Sequence, residues 1–463
     1  MSRAISGVGS AMISRFMFIN AVDVKKEVET TLPPLGLGYL ASSLRREFGP
    51  DRFAFEVVDR DVERQIKAFQ PDIVGITSVS QNYNKAIEYA RIAKRHGLPV
   101  IVGGVHISAL PATLSADMDV GVIGEGERTI IELVTLFEQE GCFEPESLAQ
   151  LGGVVFRRNG ELIITGERPP IQPLDSLAAP ARDLFKIRKS TYMFTSRGCP
   201  YRCRFCASCR FWGKVRFFSA EYVVQEIKDL IQQYGVAKIS FWDDLFVADR
   251  ARLKQIRDLL KEEGILGKVE FTSNVRSNLV TDELALLLKE MNIGSVGMGL
   301  ESGSPTTLEY LKGGNVCLKN HVDAINILRR HGIKLRTSFI IGSPQETREG
   351  ILQTLSFIKE NRLSSFDIYV LTPFPGTPVW DYARARNLVG EDMNWDRLNV
   401  HFGVNHHDAV ILSETLTREE IYELFLRFAE IKGRARIRKA LRNPKSLLKL
   451  LARALSGKPL VER

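Results

Sequence analysis

The sequence lacks the features of a membrane-spanning or exported chain. It contains no run of about 20 apolar residues, which a transmembrane helix requires. Its N-terminus has neither the apolar core nor the cleavage site of a signal peptide. Only six of its 463 residues are cysteines, and cysteines clustered in an intracellular chain bind metals or catalyse more often than they form disulfides. We therefore expect a cytoplasmic protein with reduced thiols.

Acidic residues are absent from one segment, 432–458, which carries ten Lys and Arg side chains. Because the whole chain has a net charge of only +8, the rest of it is slightly acidic, and we expect no nucleic-acid partner. Within this segment, leucines lie on one helical face and basic residues on the other: Leu447, Leu448, Leu451, Leu455, Lys445, Lys449 and Arg453. The pattern predicts either peripheral contact with the inner membrane face or a helix that packs its leucines on the body.

The first third of the chain alternates between short apolar strands and amphipathic helices. Hydrophobic residues make up 44% and charged residues 25% of the sequence, as in soluble globular proteins. Near-continuous apolar strands separated by helices predict a doubly wound parallel sheet, whose ligands bind at the carboxyl ends of the strands. The predicted strands are 15–20, 53–59, 72–78, 99–104 and 119–124.

A second alternation follows a predicted hairpin and a proline-rich linker. Asn159-Gly160 between two β-rich runs predicts the hairpin. Six strand-helix units then predict a partial (β/α)6 TIM-like barrel with its active site at the carboxyl ends of the strands. Its strands are predicted at 192–196, 238–242, 269–272, 295–300, 335–341 and 367–371. The predicted domains are 15–145, a hairpin and linker at 146–190, a barrel at 191–378 and a C-terminal helical region at 379–463.

Three cysteines, Cys199, Cys203 and Cys206, form a C-x-x-x-C-x-x-C pattern in the loop after the first barrel strand. Thiolates suit iron–sulfur clusters, and three ligands leave one iron of a four-iron cluster open. The alternative is a zinc site, which needs four ligands, usually as two spaced pairs. Cys209 is available as a fourth ligand, but the sequence has no second pair, so the cluster is favoured and Cys209 stays unassigned.

With Phe205 before the last cysteine, this loop resembles the cluster loop of the radical S-adenosylmethionine (SAM) enzymes. The resemblance implies a [4Fe–4S] cluster whose open iron is chelated by the amino and carboxylate groups of SAM. One-electron reduction of the sulfonium then releases methionine and a 5′-deoxyadenosyl radical, so an external one-electron reductant of flavodoxin or ferredoxin type is implied as a partner.

The N-terminal domain resembles the cobalamin-binding domain that precedes many radical SAM barrels. The resemblance rests on Pro-Pro-Leu-Gly-Leu-Gly-Tyr-Leu at 33–40 and on the loops after the third, fourth and fifth strands. It implies cobalamin contacts from Ser78, Ser80, Gly103, Gly104, His106, Glu125, Gly126 and Glu127. The D-x-H-x-x-G motif that supplies a cobalt ligand in other cobalamin proteins is absent, so we interpret His106 as a pocket or structural residue.

Polar residues at later strand ends match the barrel of the same family. The resemblance implies SAM contacts from Phe205, Asp243, Arg276, Glu301 and Gly342. A salt bridge at the barrel mouth is the alternative for Asp243 and Arg276. Glu346 is interpreted as a carboxylate in the first turn of a helix, beside the helix dipole.

The resemblance to this family predicts an enzyme. We favour C-methylation of an unactivated carbon on a small-molecule or lipid-type substrate, with cobalamin as methyl carrier. Cobalamin-assisted oxidation, cyclisation or carbon–carbon bond formation is the alternative within the family. A tRNA methylthiolating enzyme fits less well, because only Cys142 precedes the cluster loop. A cobalamin or redox sensor is the non-enzymatic alternative, and it would not need polar groups at successive strand ends.

Overall fold

The computed structural model describes residues 12–23 and 32–441, with side chains described as far as residue 434. The chain divides into two compact units. The first contains residues up to 191 together with 210–236 and 390–396; the second contains 192–209, 237–389 and the chain from 397 onward. The leucines and lysines of the amphipathic pattern at 445–455 lie outside the described residues.

The first unit is built on a seven-stranded sheet in the order β2-β1-β3-β4-β5-β6-β7. Strands β1 to β5 pair in parallel, as their near-continuous apolar sequences predict. Phe16 and Phe18 of β1 are almost fully buried and stack on each other. The strands are β1 Arg15–Ala21, β2 Ala54–Val58, β3 Ile73–Ser78, β4 Val100–Gly103, β5 Val120–Val122, β6 Val154–Arg158 and β7 Glu161–Ile164.

Helices follow these strands and bury one face each. Helix α1 begins after Pro33 and Pro34, as a proline-led start predicts, and buries Leu37 and Leu44 in the core of this unit. The helices are α1 Leu35–Phe48, α2 Val62–Phe69, α3 Tyr83–Arg95, α4 Val105–Ala109, α5 Glu127–Glu140 and α6 Pro145–Leu148.

The predicted hairpin is present and extends the sheet of the first unit. Asn159 and Gly160 both have positive φ, at 53° and 86°, which is the backbone that a two-residue hairpin turn needs. Strand β6 pairs antiparallel with β5 and with β7. The hairpin therefore closes one edge of an otherwise parallel sheet.

The second unit contains a six-stranded sheet in the order β15-β14-β13-β12-β11-β8. Its strands pair in parallel from β11 to β15 and form a half-barrel. The remaining strands of the chain are β8 Ser190–Met193, β9 Ser196–Arg197, β10 Arg216–Phe217 in the first unit, β11 Lys238–Phe241, β12 Glu270–Val275, β13 Ile293–Glu301, β14 Lys334–Ile341 and β15 Phe366–Val370.

Hydroxyl and carboxylate caps set the starts of several later helices. Asp249, Thr281 and Thr347 each accept a backbone N–H from the first turn of α9, α10 and α13. The helices are α7 Ser208–Phe211, α8 Ala220–Tyr234 in the first unit, α9 Arg250–Glu262, α10 Asp282–Glu290, α11 Pro305–Lys312, α12 Leu318–Arg330, α13 Arg348–Glu360, α14 Pro378–Arg384, α15 Phe402–Asn405 and α16 Arg418–Leu441.

The predicted fold class, a parallel-dominated α/β sheet followed by a partial barrel, is confirmed. The domain boundaries at 145, 190 and 378 stay a prediction. Within the described ranges, no helix combines the length and the apolar character needed to cross a membrane.

Candidate cofactor sites

The cysteine loop lies directly after β9, on the side of the half-barrel where β8 ends. Cys199, Cys203 and Cys206 form no disulfide. Cys203 is buried, at 8% exposure, and its carbonyl oxygen accepts the N–H of Cys206 at 3.3 Å. Phe205, between the last two cysteines, is half-buried. The loop therefore presents three soft ligands from one short stretch of backbone.

Burial makes two of these thiols, Cys199 and Cys206, hard to ionise without a metal. It raises the pKa of Cys199 and raises that of Cys206 to about 12, while the nearby Asp244 carboxylate adds to both shifts. A thiol binds metal only as the thiolate, so cluster assembly must displace protons from this loop. Three cysteine thiols outside any disulfide are the donor set that a [4Fe–4S] cluster with one open iron requires, so the residues present fit this group.

A positively charged group accompanies the loop. Arg276, directly after β12, is 7% exposed, and its Nη1 lies 3.4 Å from Cys203 Sγ. Its Nε donates to Asn278 Oδ1 at 3.1 Å. Its Nη2 is buried and has no hydrogen-bond partner among the described residues. One guanidinium thus contacts a predicted ligand and keeps a donor for an anionic group.

The thiols do not form a single-ion site. Among the described residues, no three or more His, Cys, Asp or Glu side chains come close enough together to hold one metal ion. In a four-iron cluster each cysteine binds a different iron, so the sulfurs need not meet at a point. Cys209 Sγ lies 4.0 Å from the carbonyl oxygen of Cys206, and its role stays unassigned.

Asp243, at the end of β11, ties the root of the cysteine loop to the sheet. It is 1% exposed. Its Oδ1 accepts the backbone N–H of Thr195 at 2.5 Å and that of Ser196 at 3.1 Å, and its Oδ2 accepts the Thr195 hydroxyl. Burial nevertheless raises its pKa to about 6. Both carboxylate oxygens are used inside the protein, and a contact with SAM stays a prediction.

Glu301 occupies an unusual backbone position at the end of β13. Its φ of 64° is left-handed, beside a register shift in the pairing with β14. Its carboxylate lies 3.1 Å from the buried Lys312 ammonium, which also donates to the Gly299 carbonyl at 2.5 Å. A Cβ on Gly299 would lie 2.2 Å from Glu301 Oε1. The absence of a side chain at Gly299 therefore provides the space that the Glu301 carboxylate occupies.

Gly342 begins the loop after β14 with a φ of 81°. Its N–H and that of Ser343 donate to Glu346 Oε2 at 2.7 and 3.2 Å. The first-turn interpretation of Glu346 is wrong, because α13 begins at Arg348 with Thr347 as its cap. Glu346 instead folds back and fixes the turn that contains Gly342.

In the first unit, the predicted cobalamin residues lie at the carboxyl ends of β3, β4 and β5, as the fold requires. Gly104, with a φ of 100°, lies so close to β3 that a Cβ would be 2.6 Å from the Ser78 carbonyl oxygen. A Cβ on Gly103 would meet only Val122, at 3.9 Å, and one on Gly124 would meet nothing within 4 Å. These two glycines leave open space above the sheet, which suits a large flat ligand.

His106 is a structural residue in this arrangement. It is fully buried, and its Nδ1 and Nε2 pair with the hydroxyls of Ser80 and Thr113 at 3.1 and 3.0 Å. Its ring stacks on Tyr83 at 3.7 Å and meets Trp395 edge-on at 4.4 Å. Burial lowers its pKa to about 3. Neither ring nitrogen points to an open site, in agreement with the absence of a cobalt-ligand motif.

The remaining polar predictions are also held within the unit. Ser78 is buried and donates to the Val79 carbonyl at 2.8 Å. Glu125 accepts the Ile171 N–H at 2.7 Å and forms a buried ion pair with Arg216 at 2.8 Å. Gly126 caps α5, and Glu127 is its buried first residue. These residues shape the loops, and their contact with cobalamin stays a prediction.

Two residues that the sequence reasoning missed are exposed beside these loops. Val79 and Val105, which follow Ser78 and Gly104, are 38% and 39% exposed. Apolar side chains and open glycines at strand ends fit the apolar face of a corrin. The available signal was an apolar residue inside each of two polar loops, where burial in the sheet cannot explain it.

The first unit contains a mainly parallel sheet and the second a half-barrel. Each has loops at its strand ends that fit a large cofactor, and these features together define an α/β enzyme that uses large cofactors. Residues 193–358 match the model of the radical SAM superfamily, and residues 21–134 match that of the B12-binding domain.

Two curated relatives and one solved structure extend this match. An uncharacterised methyltransferase of Pyrococcus horikoshii is 34% identical over 417 residues, which are 87% of this chain and 88% of the relative. The anaerobic magnesium-protoporphyrin IX monomethyl ester cyclase of Cereibacter sphaeroides is 25% identical over 77% of this chain, which spans 61% of that relative. The cobalamin-dependent radical SAM enzyme OxsB has the same fold, with a TM-score of 0.71, 17% identity, and 96% and 71% of the two chains covered.

The chain belongs to the radical SAM superfamily, in the group whose members carry an N-terminal B12-binding domain. It is a cobalamin-dependent radical SAM enzyme with methyltransferases among its homologues, and its cofactors are a [4Fe–4S] cluster, SAM and cobalamin. The predictions of family, enzyme class and cofactors are confirmed.

Proposed function

We propose that this enzyme methylates an unactivated carbon of a small-molecule or lipid-type substrate. The observation that carries the cluster half of this proposal is the loop with three cysteines that form no disulfide, two of them half-buried and one buried, beside a buried guanidinium. When bound, the cluster and SAM supply a carbon radical on the substrate, and cobalamin supplies the methyl group.

Cys199, Cys203 and Cys206 hold the cluster in this proposal, and SAM is bound by the strand ends around them. Arg276 supports this assignment, because its unpaired Nη2 suits the SAM carboxylate. Gly342 offers a turn that Glu346 holds rigid. Phe205, Asp243 and Glu301 complete the proposed set. Asp243 acts as a positioning residue, since its carboxylate is committed to Thr195 and Ser196.

Cobalamin is held by the loops after β3, β4 and β5. Gly103 and Gly124 let the backbone approach the ligand, whereas Gly104 holds its loop against β3 and Gly126 caps α5. Val79 and Val105 cover the apolar face of the ligand. Ser78, Ser80, His106, Glu125 and Glu127 fix the loops from below. His106 is committed to two hydroxyls, so cobalt receives no protein imidazole from this position.

Methyl transfer is favoured over cyclisation by the extent of the two relatives. This chain spans 88% of the methyltransferase but 61% of the cyclase, so the match to the methyltransferase leaves little of that protein unaccounted for. Cobalamin-assisted oxidation or cyclisation is the second candidate, because the cyclase matches 77% of this chain. An external one-electron reductant of flavodoxin or ferredoxin type is the proposed partner. Peripheral membrane contact through the basic segment at 432–458 belongs to the same proposal.

Anaerobic reconstitution separates the two candidates. The reconstituted protein is incubated with cobalamin, reductant and methyl-labelled SAM, and the products are resolved by mass spectrometry. Deoxyadenosine together with labelled methylcobalamin supports methylation. Deoxyadenosine without methyl turnover, in the presence of a substrate that is consumed, supports the oxidative candidate. If a protein with an intact cluster forms neither deoxyadenosine nor labelled methylcobalamin, both candidates are refuted.

Cys203→Ala tests the cluster assignment directly. We expect iron and sulfide content to fall sharply and SAM cleavage to be lost, because the cluster needs all three cysteines to hold the irons that SAM does not chelate. Cys142→Ala is the matched control, since Cys142 is a free, exposed thiol outside the loop. SAM cleavage that persists in Cys203→Ala would contradict the assignment.

A further inference from the structure

We propose that Arg276 sets the reduction potential of the cluster by donating a charged hydrogen bond to the sulfur of Cys203. Arg276 is a positioning residue in this role, because it acts on the cluster through a cysteine. The proposal rests on the assignment of the three cysteines as ligands. It goes beyond that assignment, because it concerns the reduction potential of the cluster and not its presence.

The guanidinium is held in place from three sides. Its Nη1 lies 3.4 Å from Cys203 Sγ, and its Nε donates to Asn278 Oδ1 at 3.1 Å. Its carbon lies 3.9 Å from the centre of the Tyr201 ring, a distance at which a cation and an aromatic face attract each other. The planar group therefore has one orientation, with Nη1 directed at the sulfur.

A further contact closes this frame across the loop. Asn278 Nδ2 lies 3.3 Å from the hydroxyl of Tyr201, which stands two residues before Cys203. Tyr201 and Cys203 belong to the cysteine loop, whereas Arg276 and Asn278 follow β12. The Arg276 guanidinium thus links the cysteine loop, which follows β9, to the end of β12.

The sign of the effect follows from charge. Hydrogen bonds to cluster sulfurs and the local net charge are two of the factors that set the potential. Reduction adds an electron to the cluster, and a buried positive donor stabilises that more negative state, most strongly where water is excluded. At 7% exposure, Arg276 is poorly screened. It therefore raises the potential and makes the cluster easier for an external reductant to reduce.

An arginine of the cysteine loop itself, Arg204, provides a matched control. Arg204 follows Cys203 directly, is exposed, and packs over the Tyr310 ring at 5.0 Å. Its backbone N–H donates to the Leu311 carbonyl at 3.0 Å, a bond that a side-chain substitution keeps. It carries the same charge as Arg276, but solvent screens it.

The test compares Arg276→Gln, Arg204→Gln and the wild-type full-length protein, each reconstituted anaerobically without SAM. Iron and sulfide per chain are measured first, and the midpoint potential is then determined by spectroelectrochemical titration with EPR of the reduced cluster. For Arg276→Gln we expect the equilibrium constant for reduction to fall about tenfold, a shift of about 59 mV to more negative potential for one electron. Arg204→Gln is expected to match the wild type.

Failure of the proposal differs from failure of the proposed function. If the wild type assembles no cluster, the ligand assignment fails and this proposal fails with it. If Arg276→Gln keeps its cluster and the wild-type potential, only the role of Arg276 is refuted. If Arg276→Gln loses its cluster, Asn278→Ala decides, because it keeps the guanidinium and removes the acceptor that orients Nε, together with the contact to the Tyr201 hydroxyl. A smaller shift in the same direction supports the proposal, and an unchanged potential overturns it.

Discussion

At the residue scale, Glu346 shows how a buried carboxylate stabilises a turn at a cost that depends on pH. It is 3% exposed and accepts two backbone N–H groups, from Gly342 and Ser343. These bonds favour the ionised carboxylate, but burial outweighs them and raises its pKa to about 7 from 4.5. The turn is therefore held by a group that is half-protonated near neutral pH.

Glu346→Gln should change stability in a pH-dependent way. Between pH 4.5 and 7, the folded wild type holds a proton that the unfolded chain has released, so its stability falls as pH rises through this window and is constant above it. Glutamine does not ionise. We expect the variant's free energy of unfolding, relative to wild type, to increase from pH 5 to pH 8 by up to about 3 kcal/mol.

Thermal unfolding at pH 5, 6, 7 and 8 measures this difference. Glu349→Gln, at an exposed position in the first turn of α13, is the control and should show no such trend. A flat difference between Glu346→Gln and wild type across this range would show that the carboxylate titrates near its ordinary pKa.

At the element scale, glycines decide how closely the half-barrel elements approach at their carboxyl ends. Gly303, just after β13, packs against α13, where a Cβ would lie 2.6 Å from Phe357 Cβ and 2.7 Å from Thr354 Cα. The Gly303 N–H also donates to the Thr354 hydroxyl at 2.9 Å. Since backbone atoms cannot move aside as a side chain can, only glycine fits at this contact.

Gly303→Ala should therefore destabilise the second unit. Forcing a methyl group into a packed interior costs about 1–3 kcal/mol, and here the helix has to shift away from the turn. Gly314→Ala is the control, because a Cβ there meets nothing within 4 Å. Thermal or denaturant unfolding of both variants gives the comparison, and equal midpoints for the two would contradict the close contact.

At the scale of the whole molecule, the two units carry separate sets of candidate cofactor residues. The cysteine loop and the ends of β11 to β14 belong to the second unit, and the loops after β3, β4 and β5 belong to the first. We infer that the binding of cobalamin and the assembly of the cluster can be impaired separately.

Val105→Asp should weaken cobalamin binding and leave the cluster intact. A charge placed against an apolar ligand face loses solvation without gaining a partner, so we expect the Kd for hydroxocobalamin to rise roughly tenfold or more. Absorbance titration measures the Kd, and iron content per chain reports the cluster. Val404→Asp, at another exposed valine with 59% exposure, is the control. Unchanged affinity in Val105→Asp would remove Val105 from the proposed site.

Much of the fold was predictable because strand and helix patterns are local. The strand predicted at 335–341 is observed as β14 at Lys334–Ile341, and Asn159-Gly160 forms the expected turn. The roles of side chains were less predictable. Glu346 was placed in a helix turn because its distance from Gly342 along the chain does not show that its carboxylate folds back. Val79 and Val105 stand as apolar residues among polar ones, but the sequence does not show that their side chains are exposed.

The sequence by itself determined the family, because the cysteine spacing and the glycine-rich loops are contiguous motifs that resemble those of known radical SAM enzymes, and this resemblance implied the cofactors. Only the tertiary structure decided which polar residues face each other: Arg276 with Cys203, Glu301 with Lys312, His106 with Ser80 and Thr113. The partners are separated along the chain by 7 positions for His106 and Thr113 and by 73 for Arg276 and Cys203. The fold brings them together from different elements, for example the residue after β12 and the cysteine loop for Arg276 and Cys203, and no local sequence pattern encodes these contacts.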